Sequence, residues 1–186
     1  MARQFTESKD GSNINKTHKQ AQSTRPPRGY FGVGVQGISK GFNLGNLVRT
    51  SHAFGASFFF TVGASVSYAD VKSTDTSHAD IHLPFYAYDN LADMALPKDC
   101  ALVGVELLDE AVDLPSFRHP LRAAYVLGPE KGNLSPDLVK RCDHIVKIPA
   151  KFCVNVGIAG ALVIYDRMIS LGSFAERPVR VGRQKA

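Results

Sequence analysis

Residues 41–63 read GFNLGNLVRTSHAFGASFFFTVG. Leu44, Leu47, Val48 and Phe54 recur at helical spacing, and Gly55 stands where a helix stops. SFFFTV is a continuous apolar run, as expected of a strand buried on both faces. A helix leading straight into such a strand is half of an α/β repeat. Its start is unusual, because Asn43, Gly45 and Asn46 crowd the first turn and Arg49 occupies the middle. Ordinary helix starts do not need that much glycine and amide, so the turn reads as one that closely approaches something.

The same alternation extends in both directions. YFGVGVQGI, PFYAY, ALVGVEL, AAYVLG and HIVKIP read as further strands, making six with SFFFTV. DNLADMAL reads as a helix capped by Asp89, and SPDLVKRC as one with Ser135 at the N-cap and Pro136 at the first helical position. VNVGIAGALVIYDRMI is a last helix, apolar over most of its length and expected to be buried. Residues 64–82 are polar and irregular, and 109–120 form a proline-containing connector. Strands that are apolar and alternate with helices imply a mainly parallel, six-stranded α/β sheet flanked by helices.

GVGVQG at residues 32–37 is a literal G-x-G-x-x-G. A dinucleotide fingerprint should follow a strand, open a helix and precede a ribose-binding acid by about 20 residues. Here the glycines fall within a strand, and FFFTVGAS ends the second strand without an acid. The small residues fit close packing of a neighbour better than a nicotinamide-dependent oxidoreductase.

Charge divides the 186 residues into a body and two arms. Residues 1–29 carry six Lys/Arg against two acids, and residues 173–186 carry four against one. Residues 30–172 hold twelve basic and fourteen acidic residues, a nearly neutral globule. The first arm is rich in Ser, Asn, Gln and Lys and is expected to be disordered when free. Basic arms of this kind meet phosphate backbones. No apolar run approaches the roughly 20 residues that span a bilayer, and the start of the chain has no apolar signal region. Cys100, Cys142 and Cys153 form no CxxC pair, which reads as reduced cytoplasmic thiols. The six histidines show no zinc spacing, so no metal site is expected.

Three glycine- and amide-rich turns stand beside expected helix starts: GFNLGNLVR, LGPEKGNLS and IPAKFCVNVGIAG. In an α/β sheet, strand carboxyl ends and helix amino ends form the default ligand crevice. Together, in this order and at these separations, the turns resemble the three signature motifs of the SpoU (TrmH-like) class of SPOUT RNA methyltransferases. Asn43, Gly45 and Arg49 match N-x-G-x-x-x-R. Gly128, Pro129, Glu130 and Gly132 match G-P-E-x-G. Ile148 and Pro149, followed by Cys153-Val154-Asn155-Val156-Gly157, match the I-P loop that ends in S-L-N-V-S. The resemblance spans residues 32–168. Cys153 and Gly157 replace the usual serines, and the third loop is about three residues shorter than in the family; both changes would reshape the cofactor pocket.

The resemblance implies a SPOUT fold with a deep C-terminal trefoil knot, an exception to the rule against knots. It implies a homodimer whose site draws on both subunits. It implies S-adenosylmethionine as cofactor, held at Val105 and Glu106, at Leu127 and Gly128, and at Ile148, Cys153, Val154 and Val156. The activity implied is methyl transfer to a ribose 2′-hydroxyl of RNA. Relatives of this size with short tails act on tRNA, whereas many rRNA enzymes carry an extra N-terminal domain, so tRNA is favoured over rRNA. Arg49 is expected to anchor phosphate and stabilise the forming alkoxide, with a base role open. Glu130 would orient Arg49 or Asn43, and Asn155 would brace the turn. A noncatalytic RNA-binding relative is the competing reading, favoured by the altered third motif.

Overall fold

The computed structural model describes residues 29–66 and 82–174. The two basic arms lie almost wholly outside the described residues, as does most of the polar segment 64–82. The strands are β1 (Tyr30–Gln36), β2 (Phe58–Val62), β3 (Phe85–Tyr88), β4 (Ala101–Val105), β5 (Val112–Asp113), β6 (Arg122–Leu127) and β7 (His144–Lys147). The helices given in full by the described residues are α1 (Gly41–Ala53), α2 (Pro136–Arg141) and α3 (Val156–Leu171). Single 3-10 turns stand at Leu91–Asp93 and Leu114–Ser116.

The strands form one sheet in the order β3-β2-β1-β6-β4-β7-β5, and every pairing is parallel. Seven strands replace the six expected. The extra one, β5, is a two-residue edge strand inside the proline-containing connector, too short and exposed to leave a pattern in the sequence. A second expectation is also corrected. DNLADMAL forms only the 3-10 turn Leu91–Asp93, and Asn90 rather than Asp89 caps it by accepting from the Asp93 amide. Met94 leaves the turn in an extended conformation and is buried.

The period-two alternation of the strands sorts their side chains onto two faces. On one face Val33, Val35, Phe59 and Leu127 pack against Leu44, Leu47 and Val48 of α1 and Val156 and Ile164 of α3. On the other, Phe58, Phe60, Val62, Ala124 and Val126 pack against Leu134, Leu138 of α2 and Met94. All five residues of β2 are buried, as its unbroken apolar run implies. α1 and α3 lie side by side because Gly160 admits Leu47; a Cβ at Gly160 would stand 2.4 Å from the Leu47 side chain.

The glycines of G-x-G-x-x-G receive their explanation here. A Cβ on Gly32 would lie 2.2 Å from the Phe58 ring, and one on Gly34 2.2 Å from the Phe60 ring. β2 lies beside β1 in register, Gly32 opposite Phe58 and Gly34 opposite Phe60. The aromatic rings of β2 therefore fold over β1 and fill the places where side chains at Gly32 and Gly34 would stand.

The foot of the sheet is locked by a buried polar cluster. Arg167 of α3 donates to the carbonyls of Tyr30, Pro120 and Leu121 and to the Tyr125 hydroxyl. His119 lies between the Tyr125 hydroxyl at 2.6 Å and the Asp166 carboxylate at 2.8 Å. Burial pushes the His119 ring below its ordinary value and outweighs the neighbouring Asp166 carboxylate, which favours the charged form. Burial also pushes the Tyr125 phenol up to about 12, against the pull of Arg167.

Candidate functional site

The carboxyl ends of β4, β6 and β7 and the amino ends of α1 and α3 enclose a cavity of about 420 Å³. That volume lies in the range of small-molecule sites. Three chain segments far apart in sequence supply its floor and rim: residues 40–43, residues 127–133 and residues 148–156.

Glu130 ties the first segment to the second. Its carboxylate accepts from the Ser39 amide and hydroxyl, both at 3.1 Å, and from the Lys40 amide at 3.0 Å. Lys40 is the N-cap residue of α1 and offers no side-chain cap of its own. Glu130 supplies that cap from another part of the chain, with a negative charge where the helix dipole is positive. Burial works to raise its pKa, but the hydrogen bonds from Asn43 and from the backbone amides outweigh it and hold the carboxyl below its ordinary value.

Asn43 continues the chain of contacts. It is 4% exposed, and both ends of its amide are engaged. Its nitrogen donates to Glu130 at 3.0 Å, and its oxygen accepts from the Asn155 side-chain nitrogen at 3.1 Å. The Asn155 oxygen in turn accepts from the Gly157 amide at 2.8 Å and caps α3. A continuous Glu130–Asn43–Asn155 chain thus joins all three turns. Asn155 is both a helix cap and a brace, whereas Asn43 caps nothing. Asn43 is buried, so removing the Asn155 amide leaves the Asn43 oxygen unpaired, whereas the exposed Asn155 can turn to water if Asn43 is removed.

Glu106 fixes the remaining wall. Its two carboxylate oxygens accept from the amides of Leu107 at 3.0 Å and Leu134 at 2.7 Å, pinning the end of the 128–134 turn beside β4. Gln36 holds the same turn from the other side, exchanging two hydrogen bonds with Ser135, the N-cap of α2.

The structure brings together most residues singled out from the sequence. Val105, Glu106, Leu127, Gly128, Ile148, Cys153, Val154 and Val156 all line the cavity, as do Asn43, Glu130 and Asn155. Arg49 does not. It lies on an adjoining groove with Asn46, Phe54, Ile158, Leu162 and Tyr165, and Asn155 is lining to both hollows. Glu130 accordingly orients Asn43 and not Arg49. Lys40, Leu107, Asn133 and Phe152 also line the cavity and went unmarked in the sequence. Their only signal was their position next to motif residues.

The comparisons with known proteins agree with this geometry. Residues 31–165 match the model of the SpoU rRNA Methylase family. The mouse (Mus musculus) tRNA (guanosine(18)-2′-O)-methyltransferase TARBP1 is 29% identical over 138 residues, which is 69% of this chain but 9% of that protein. The AdoMet-bound rRNA methyltransferase of Sinorhizobium meliloti superposes with a TM-score of 0.68 at 22% identity, over 80% of this chain and 59% of that one. The A. aeolicus TrmH/SpoU tRNA modifying enzyme superposes with a TM-score of 0.63 at 18% identity, over 77% of each chain. This chain therefore spans less than two thirds of the first two of these relatives. The family match takes in nearly all of the sheet, all three turns of the cavity and most of α3: the chain belongs to the SpoU rRNA Methylase family.

Proposed function

We propose that the protein transfers a methyl group from S-adenosylmethionine to a ribose 2′-hydroxyl of RNA, with tRNA favoured over rRNA. The observation that carries this reading is the Glu130–Asn43–Asn155 chain, which binds three separate turns around one cavity. The residues present fit the cofactor. Val105, Leu107, Leu127, Ile148, Val154 and Val156 offer apolar wall that would suit an adenine, and Glu106 and Glu130 bring to the same cavity negative charge that would suit a cationic sulfonium. When bound, S-adenosylmethionine supplies an electrophilic methyl, so the protein's own task is positioning and proton removal.

The chain's residues divide that task. Glu130, Asn43 and Asn155 hold the amino ends of α1 and α3 in fixed relation, so that a ribose entering between them meets a rigid frame. Arg49 offers a planar fork of donors suited to a phosphate. Arg49 serves as anchor and stabiliser of the forming alkoxide, and is also the candidate base that takes the 2′-hydroxyl proton. Arg49 lies outside its own cavity, on a groove rimmed by exposed Phe54, Ile158, Leu162 and Tyr165. That apolar rim fits a homodimer in which each subunit's Arg49 serves a site built with its partner. The fold reading includes the family's trefoil knot, supported by the placing of β6 between β1 and β4. A crystal structure traced through residues 128–156 that shows no threading would remove the knot.

The basic arms would grip RNA outside the cavity, and the place of action is the cytoplasm. No helix among the described residues is long and apolar enough to cross a membrane. Calorimetry with S-adenosylmethionine and labelled-methyl transfer to bulk tRNA test the central reading. Saturable cofactor binding, with transfer lost in Arg49→Ala but cofactor affinity retained, is expected. Cofactor binding without transfer to any RNA fraction would instead make the protein a noncatalytic RNA-binding relative. If removing residues 1–28 leaves the salt slope of RNA binding unchanged, the arm takes no part. Cell fractionation that finds the protein outside the cytosol would refute the assigned location.

A further inference from the structure

Phe152 sits in the loop between β7 and α3 and lines the cavity, yet it is 76% exposed. Other apolar side chains around it have been drawn inward: Ile148 packs against the third core cluster, and Val156 is buried. Among the described residues Phe152 enters no aromatic pair. Each of the three segments that form the cavity also carries an exposed lysine: Lys40 before α1, Lys131 in the second turn and Lys151 beside Phe152 itself. None of the three forms an ion pair among the described residues. A second exposed ring, Phe42, stands in sequence between the cavity residues Lys40 and Asn43.

An open aromatic face on a cavity whose three segments each carry an unpaired cation has a specific chemical complement. It suits a base that has left its stack, with the phosphates of its own strand on the lysines. Other occupants fit less well. The apolar groove that suits a second copy is lined by Phe54, Ile158, Leu162 and Tyr165 and does not include Phe152. Six aliphatic side chains, all less exposed than Phe152, would wall the cofactor, and a ring three-quarters open would give it little cover.

We propose that Phe152 is the stacking platform for an unpaired base of the RNA, at or next to the nucleotide being methylated. This rests on the RNA methyltransferase reading and narrows its substrate class. A base held in a duplex has no free face for the ring, so the substrate is a loop or single strand and not a stem.

The test uses the full chain and a single-stranded oligoribonucleotide carrying 2-aminopurine, alongside bulk tRNA. Base stacking on an aromatic side chain predicts that Phe152→Ala weakens oligomer binding, and raises the KM for tRNA, about ten- to hundredfold. Phe152→Trp should retain both. Cofactor affinity and sedimentation should match wild type in both variants, and the same oligomer annealed to its complement should bind poorly. The proposal is overturned if Phe152→Ala binds the oligomer within twofold of wild type. It is equally overturned if that variant loses cofactor affinity or changes oligomeric state instead. The binding arm needs no methyl transfer. A wild type that binds through Phe152 but transfers no methyl upholds the platform and refutes the enzyme reading; a Phe152→Ala variant that methylates tRNA as well as wild type refutes the platform alone.

Discussion

Glu130 shows how one carboxylate can hold a site together. It caps a helix 87 to 91 residues away in sequence and fixes Asn43 at the same time. Because its folded-state pKa is depressed, its stabilising effect is present in full above its ordinary value of 4.5 and is lost as pH falls through the folded value. Glu130→Gln should therefore flatten the loss of thermal stability below about pH 4.5 while lowering stability at pH 7, as scanning calorimetry across that window can read. Gly34 makes a different prediction. A methyl group at that position would run into the Phe60 ring, so Gly34→Ala should cost about 1–3 kcal/mol in a urea melt. Phe60→Leu in the same chain should recover part of that loss, since the two sites couple directly. At this scale the sequence was legible where residue type and local role coincide, as with the amide of Asn155 at a helix start. It did not show which hollow Arg49 lines. Six residues on a helix turn through about 600°, so Arg49 lies about 120° around α1 from Asn43. One helix cannot present both side chains to one cavity.

Elements were legible according to how much of them is buried. β2 and α1 were plain because their apolar residues are numerous and periodic. β5 was invisible because two exposed residues make no pattern. DNLADMAL offered a helical pattern but yields a 3-10 turn: Leu91 and Met94 pack toward the core, and Arg141 of α2 donates to the carbonyls of Leu91 and Met94. Those carbonyls are thereby satisfied without a further helical turn. α3 was expected to be buried, and only part of it is. Val163, Ile164 and Arg167 face inward, while Ile158, Leu162, Tyr165 and Ile169 are open at helical spacing. In the dimer reading this stripe meets its copy. Leu162→Asp should then give a monomer in sedimentation velocity and abolish methyl transfer, with cofactor binding less affected. A variant that stays dimeric would remove α3 from the interface.

The whole molecule is held at both ends of its strands. At the top, the site's hydrogen bonds join α1, α3 and the 128–134 turn. At the foot, Arg167 joins α3 to the starts of β1 and β6. Arg167 is 3% exposed and donates to three backbone carbonyls, of which that of Leu121 keeps the Tyr30 amide as a donor, so Arg167→Met should destabilise the fold by about 1–3 kcal/mol in a denaturant melt. The parallel α/β class was readable from alternating apolar runs, and the cavity from three motifs in order. The strand order and the Arg167 cluster were not, because each depends on which distant segments meet. Nothing local to Asp166 or His119 announces the other.

The position of β6 has a consequence for how the protein is made. It pairs β1 on one side and β4 on the other, yet it emerges from the ribosome after both. Until residue 127 is free, the nascent chain holds one sheet fragment, β3-β2-β1, with a raw edge, and a lone β4 whose two neighbours, β6 and β7, are both still to come. Folding during synthesis must therefore wait, and a ribosome-tethered chain stopped before residue 122 should be digested rapidly by protease, whereas one released at full length resists. Helper chaperones would be needed most in that interval, and their absence would show as aggregation of stalled chains rather than of finished ones.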